Sequence, residues 1–442
     1  MNINSFRDFY MVNKSYFVNV PKTREQFFLV GMNLPHESLK LSENTLAELE
    51  RLTETAGAEI AGKEILRLRE INSANFIGKG HAETLASLSE ETGATGIVFD
   101  VDLSPAQNRN LEEIFGKKVL DRSMLILDIF AQHALSREGK LQVELAQLEY
   151  LLPRLRGMGK ILSRLGGGIG TRGPGETKLE TDRRRILKRI SRLKHEIKSV
   201  GKHRATQRRK RLKQGVPSLS LIGYTNAGKS TLLNALTDAN VLVEDKLFST
   251  LDPTARKLIL PGGSEAVLID TVGFIRKLPH TLVASFRATL EETNYADLLL
   301  LVADVSSPLL DEEIKASREV LRLLKITDKT ILTVLNKIDR MEDSIRLNQY
   351  LEETKPSVCI SAKTGKGLDD LLNTIESILE QTKTVRFYQI PYHRFDLLSR
   401  LQSLGDHINV EYLDEKIRVS LRIEKKDAEK LEQDKELEIG NP

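Results

Sequence analysis

The residues Gly223, Tyr224, Thr225, Asn226, Ala227, Gly228, Lys229, Ser230 and Thr231 have the types and spacing needed to hold a polyphosphate. Glycines at both ends let backbone amides wrap phosphate oxygens, Lys229 can reach the β and γ oxygens, and the Ser230 hydroxyl can ligate Mg²⁺. The surroundings agree with this chemistry. Ser218 to Ile222 is a short apolar run of strand length, and Leu232, Leu233 and Leu236 open a helix directly after the loop.

Three later segments add to the same site, each behind an apolar strand. Ala266 to Ile269 leads into Asp270, Thr271, Val272 and Gly273, where the carboxylate can hold Mg²⁺ through water and the glycine amide can sense the γ-phosphate. Ile331 to Leu335 leads into Asn336, Lys337, Ile338 and Asp339. A buried carboxylate there would accept hydrogen bonds from the guanine N1–H and exocyclic amine, and adenine would leave it unpaired. Val358 to Ile360 leads into Ser361, Ala362 and Lys363, whose amides can meet the guanine O6. The order of these motifs predicts a GTP/GDP site.

Between the loop and Asp270 lie Phe248, Ser249, Thr250, Leu251, Asp252, Pro253 and Thr254, where a switch threonine would reach Mg²⁺. Spacing leaves both Thr250 and Thr254 open. Phe274 follows Gly273, in the position where many regulatory GTPases carry a water-positioning glutamine. An aromatic ring cannot do that, so slow intrinsic hydrolysis is expected, accelerated by a partner. Lys229, Gly273 and the switch threonine, Thr250 or Thr254, remain as contacts to the transition state and the switch.

These residues need a scaffold, and the hydropathy pattern supplies an α/β one. From Phe27 to His133 short apolar runs alternate with amphipathic stretches; Gly96 to Val101 reads as a buried strand and Ser104-Pro105 as a helix start. Asp100 and Asp102 invite a metal reading, but carboxylates where a strand meets its loop more often cap helices. Leu141, Leu145, Leu148, Leu152 and Leu155 form one seam, and Ile186, Ile190, Leu193, Ile197 and Val200 form another. They predict an antiparallel helical hairpin whose tip is the glycine-rich segment around Gly166 to Lys178.

The hairpin also concentrates positive charge. Arg154, Arg156, Lys160, Arg164, Arg172 and Lys178 lie in or near the tip, and Arg183, Arg184 and Arg185 open a run to Lys213 in which Glu196 is the only acid. The whole chain carries only +4, from 66 basic against 62 acidic residues, so this one-sided surface is local and fits a polyanion. Few aromatics interleave with it. Phosphate and shape contacts to structured RNA are therefore expected, and no DNA partner. After Thr384 a small unit follows, with strands at Val385 to Ile390 and Lys416 to Ile423 and a helix from Phe395 to Leu404; His393 and His407 there read as packing or surface residues.

At 442 residues the chain has room for roughly three domains. A P-loop domain with a mostly parallel sheet and helices on both faces is expected over 215–383. An α/β domain precedes it over 1–135, the basic hairpin spans 136–214, and a small α/β domain closes the chain over 384–442. One cysteine, Cys359, excludes an internal disulfide and a cysteine-based zinc site. The first twenty residues have no apolar core of leader length and no segment is long enough to span a bilayer. A reducing, cytoplasmic location is expected, with a peripheral membrane-associated fraction.

The chain resembles the HflX-family GTPases, part of the translation-factor-related P-loop class. The similarity is carried by Leu141 to Leu155 (LQVELAQLEYLLPRL), Gly166 to Arg185 (GGGIGTRGPGETKLETDRRR), GYTNAGKS, FSTLD at Phe248 to Asp252, DTVGF at Asp270 to Phe274, and NKID. The glycine-rich segment is far more specific than the GTPase motifs. This resemblance implies Thr250 as the switch ligand of Mg²⁺ and an apolar residue at position 274. It further implies a protein that binds the large ribosomal subunit and its rRNA, with the N-terminal region near the peptidyl transferase centre, and that splits or rescues stalled ribosomes under stress; a monomer is expected. A GTP-regulated adaptor for a non-ribosomal protein or membrane-associated complex is the alternative.

Overall fold

Alternation of large apolar side chains along Gln26–Asn33 (β1) decides how the N-terminal sheet is covered. Phe27 and Leu29 face one way, Phe28, Val30 and Met32 the other, and all are buried. The computed structural model describes residues 25–35, 37–155, 174–213, 216–237, 247–248, 254–276, 292–341, 344–433 and 437–440. Glu59–Arg67 (β2), Gly96–Phe99 (β3) and Lys118–Asp121 (β4) join β1 in a parallel sheet of order β2-β1-β3-β4. Between them run the helices Leu39–Thr55 (α1), Lys79–Glu91 (α2), Pro105–Phe115 (α3) and Arg122–His133 (α4). Helices α1 and α4 cover one face and α2 and α3 the other. Helix α3 starts where sequence places it, with Ser104 and Gln107 forming a capping box and Pro105 in the first turn.

Arg137–Arg154 (α5) and Pro174–Lys213 (α6) make the hairpin arms. Leu141, Leu145 and Leu148 interlock with Ile186, Ile190 and Leu193, and Leu152, Leu155 and Ile197 pack beside them, so the two apolar seams do meet. Paired charges reinforce the contact: Arg189 bonds both oxygens of Glu144 at 2.6 and 2.7 Å, and Lys194 reaches Glu149 at 2.7 Å.

The second sheet has the order β10-β9-β8-β5-β7-β6. Its strands are Ser218–Gly223 (β5), Thr254–Ile259 (β6), Glu265–Asp270 (β7), Leu298–Asp304 (β8), Ile331–Asn336 (β9) and Ser357–Cys359 (β10). All pairings are parallel except that of the edge strand β6. Lys229–Leu236 (α7), Leu310–Leu323 (α8), Ser344–Glu353 (α9) and Leu368–Gln381 (α10) supply the helices. Helices α7 and α10 pack on one face, whereas α8 packs on the other within a hydrophobic cluster that continues into α1 and α4 of the N-terminal unit. Two cores are thus joined by one apolar cluster.

The remaining chain forms an antiparallel sheet of order β12-β13-β11-β14 from Lys383–Pro391 (β11), Gly405–Tyr412 (β12), Lys416–Glu424 (β13) and Glu438–Ile439 (β14). Phe395–Leu404 (α11) and Lys425–Leu431 (α12) bury its apolar side. Strand β12, with Gly, Asp, His and Asn at its start, carries too weak an alternation to be read from sequence and takes its conformation from β13.

Asp100 and Asp102 have protein partners that explain them: Asp100 accepts a 2.5 Å bond from Arg122, and Asp102 accepts one from the Ser123 hydroxyl. Arg154, grouped by sequence with the exposed tip charges, instead turns inward. It bonds Asp121 at 2.9 Å and the Leu103 carbonyl at 2.8 Å, and lies over the Tyr150 ring. Desolvation by burial raises the Asp121 carboxyl, against hydrogen bonding from Tyr150 and the charge of Arg154.

Arg122 is 1% exposed and also bonds Glu48 at 2.9 Å. Burial alone would lower its pKa, but the charges of Glu48 and Asp100 outweigh that and hold it above the ordinary arginine value. Replacing it with an apolar residue would strand two carboxylates in the core. We expect Arg122→Met to lose about 3–5 kcal/mol of stability in urea unfolding; a loss below about 1 kcal/mol would show the cluster to be energetically neutral.

Candidate nucleotide site

The end of β5 turns into the phosphate loop under tight steric constraint. Gly223 has φ +141°, and a Cβ there would lie 2.1 Å from the Val302 carbonyl oxygen; at Gly228, with φ +95°, it would lie 2.3 Å from the Asn336 amide nitrogen. Only glycine fits either place. Asn226 between them also adopts positive φ, a conformation asparagine tolerates better than most residues. The loop ends at the N-terminus of α7, whose free amides suit an anion.

Lys229 is buried, and its ammonium donates to the Gly223 and Tyr224 carbonyls at 3.1 and 2.7 Å. Burial pulls its pKa down to about 8, partly opposed by the charge of Asp270 and helped by Lys337. A desolvated cation held by loop carbonyls is well suited to a polyphosphate. Beside it, the Ser230 hydroxyl donates to the fully buried Asp270 carboxylate at 2.7 Å. This pair of hard oxygen donors fits Mg²⁺. Thr271 is directed away, its hydroxyl bonding the Leu221 carbonyl at 2.6 Å, and Val272 is buried in the shared apolar cluster.

The base-recognition residues converge from different strands. Asn336 at the end of β9 donates to the Ala227 carbonyl at 2.8 Å and accepts from the Ala362 amide at 3.0 Å, tying the phosphate loop to the Ser361–Lys363 turn. Lys337 bonds the Asn226 carbonyl at 2.7 Å and pairs with Asp304 at 2.6 Å. Ile338 and Asp339 form a one-turn 3₁₀ helix with Arg340. The sequence reading expects a buried Asp339 carboxylate; the structure instead exposes it on the one-turn helix that follows β9. The Ser361 hydroxyl bonds it at 2.6 Å and holds its carboxyl below the usual range, so it remains an ionised acceptor on an open face. Lys363 is exposed beside it.

The switch segments show how the two units touch. Phe248 has positive φ, and its ring packs edge-on against Phe130 of α4 at 4.6 Å between centroids, so this side chain belongs to the inter-unit core. Phe274 is 1% exposed in the same cluster; its backbone bonds Gly223 and Thr225 at 2.9 and 2.7 Å. Thr254 is the first residue of β6 and pairs with Asp270 across the sheet. Ser249, Thr250, Leu251 and Asp252 lie outside the described residues, as do Arg172 and the Lys178 side chain. Thr231 is partly buried in the first turn of α7.

Tyr224 makes a link that loop spacing could not reveal. Its hydroxyl donates to Glu48 of α1 at 2.8 Å and accepts from the Arg276 backbone amide at 2.9 Å. Burial and the Glu48 charge push its pKa well above the ordinary tyrosine value, so it stays a neutral donor. Phosphate loop, the segment after Gly273 and helix α1 of the N-terminal unit thus meet at one oxygen. A glutamate among Leu46, Leu49 and Leu52 on the apolar face of α1 is the one sequence signal that could have flagged it. Beside this link a cavity of about 600 Å³ opens between α1 and the loop, bordered by Asn44, Arg51, Thr225, Asn226, Ser306 and Glu313.

A glycine-gated loop on a helix N-terminus, a buried lysine, a paired serine and aspartate, and an asparagine tying loop to base-recognition turn define a P-loop GTPase. Family profiles described as GTP-binding GTPase N-terminal, GTP-binding GTPase middle region and 50S ribosome-binding GTPase match residues 43–131, 133–211 and 218–337. GTPase HflX of Lacrimispora saccharolytica is 48% identical over 91% of this chain and 94% of its own length. GTPase HflX of Caldanaerobacter subterraneus subsp. tengcongensis is 50% identical over 86% of this chain and 88% of its own. A GTP-binding protein of the archaeon Sulfolobus solfataricus, solved with GDP, is 28% identical, covering 81% of this chain and 99% of that one with a TM-score of 0.42. The chain belongs to the HflX family of GTPases; it binds GTP and hydrolyses it.

The lowered Lys229 pKa gives nucleotide binding a pH dependence. Polyphosphate favours the ammonium form, so binding takes up a proton above pH 8. GTP affinity measured by titration calorimetry in buffers of different ionisation heat should fall about tenfold from pH 7 to pH 9, with the proton uptake absent in Lys229→Ala.

Proposed function

We propose that this GTPase uses its nucleotide state to grip and release the large ribosomal subunit, splitting or rescuing stalled ribosomes. The observation that carries the reading is the one-sided basic arm α6, bound to α5 through its apolar seam and through Arg189–Glu144 and Lys194–Glu149. Arg184 and Arg185 are 77% exposed on the side chain, with single acidic neighbours on their own helix, so their charge stays available to rRNA phosphates. One matching family profile is described as a 50S ribosome-binding GTPase, which supports the same partner.

Within this reading, the loop Gly223 to Thr231 cradles the phosphates, and Lys229 and the Gly273 amide meet the γ-phosphate. Ser230 and Thr250 ligate Mg²⁺, with Asp270 acting through water; the ion neutralises phosphate charge. Asn336 to Asp339 and Ser361 to Lys363 select guanine. The burial of Phe274 supports slow turnover in the absence of a partner, because no glutamine amide stands at that position.

GTP turnover should be low for the protein alone, rise with large subunits, and lose that stimulation as salt increases. Turnover unmoved by large subunits, small subunits or intact ribosomes, with GTP still bound, would favour the adaptor alternative. Converting Arg183, Arg184 and Arg185 together to Ala should weaken subunit binding and flatten its logarithmic salt dependence by roughly 2 in slope. Asp339→Asn should move base preference from guanine toward xanthine in competition binding, since the amide can donate to the xanthine carbonyl. Unchanged preference would remove Asp339 from the base site.

A further inference from the structure

Around the phosphate loop, most side-chain hydroxyls are already engaged. Ser230 bonds Asp270, Thr271 bonds the Leu221 carbonyl and Ser361 bonds Asp339. Thr225 differs. It is 6% exposed, and its Oγ1 is the only fully buried side-chain hydroxyl oxygen without a hydrogen-bond partner among the described residues. Leaving such a group unsatisfied costs about 1–3 kcal/mol, so its retention in a closely built loop suggests a partner that arrives with the ligand.

The position of Thr225 narrows what that partner is. A Cβ built on Gly273 would stand 2.9 Å from the Thr225 Cα and Cγ2 and 3.1 Å from the Lys229 ammonium. Thr225 therefore packs its Cα and methyl directly against Gly273, with the Lys229 ammonium alongside, next to the position that the proposed reading gives the terminal phosphate. The Thr225 backbone amide is already committed to the Phe274 carbonyl at 2.7 Å, so only its side chain is left to serve the ligand. Phe274 itself turns its ring into the inter-unit core and offers nothing polar.

We propose that the Thr225 hydroxyl is a catalytic residue of GTP hydrolysis, contacting the γ-phosphate and the attacking water where the residue after Gly273 cannot. Water forms the new bond to the γ-phosphorus, and the bond to the β,γ-bridging oxygen breaks with its electron pair leaving on GDP. The water proton passes to a phosphate oxygen. Thr225 accepts a hydrogen bond from the water and donates its own to a γ oxygen, ending with the proton it began with. Preorganised donors of this kind act without reorganising solvent as charge shifts in the transition state. A hydroxyl must donate and accept from one atom, whereas a glutamine amide presents its oxygen and nitrogen at separate positions, in keeping with slow intrinsic turnover.

This inference rests on the nucleotide occupying the loop as proposed above, and the test separates the two. Thr225→Val keeps the shape and removes the hydroxyl; Thr225→Ser keeps the hydroxyl. Single-turnover hydrolysis should fall about 10–100-fold in the valine variant and recover to within about threefold in the serine variant. GDP affinity, which involves no γ-phosphate, should change less than about threefold, while binding of GDP with aluminium fluoride should weaken in parallel with the rate. Wild-type rates in Thr225→Val, or a loss that Thr225→Ser does not repair, would overturn the role. Full GTP affinity in Lys229→Ala would instead overturn the placement of the nucleotide.

Discussion

The geometry of this protein depends on how one buried guanidinium is neutralised. Arg122 sits between Asp100 and Glu48, and Glu48 also receives the Tyr224 hydroxyl. In a low-dielectric interior, none of these groups can be moved alone without leaving another uncompensated. The charge cluster therefore fixes α1 against the phosphate loop, and the apolar cluster around Phe130 and Phe248 fills the space beside it. Hydrophobic contact supplies most of the attraction; the polar cluster determines which arrangement of the two units satisfies it.

That constraint bears directly on the nucleotide site. Tyr224 and Phe274 connect the loop to the segment after Gly273 through paired backbone bonds, and the Tyr224 hydroxyl extends the connection to α1. Any rearrangement of the γ-phosphate surroundings must pass through side chains that also belong to the N-terminal core. The opposite edge of the site is rigid by comparison, because Asn336 bridges the loop and the Ser361–Lys363 turn and Lys337 is fixed by Asp304.

The hairpin combines two uses of charge on one helix. Arg189 and Lys194 stabilise the arm by pairing with α5, whereas Arg184 and Arg185 remain largely solvated. A long, highly charged helix with little apolar surface gains its stability from the partner arm. The outer face is consequently free to be selected for what it binds.

Local order along the chain determined much of this protein. Strand, glycine loop and helix follow one another at Ser218 to Leu236, and apolar strands precede Asp270, Asn336 and Ser361, since phosphate and base recognition are built from short contiguous segments. Two heptad-like seams announced the hairpin for the same reason: a periodicity is visible wherever one face meets one partner. Only tertiary structure decided that Arg154 turns inward, that the Asp339 carboxylate is open, and that Tyr224 binds a glutamate 176 residues away. Those outcomes depend on which groups share a desolvated space. Residue type and spacing carry no record of that neighbourhood; packing creates it when separate elements close on one another.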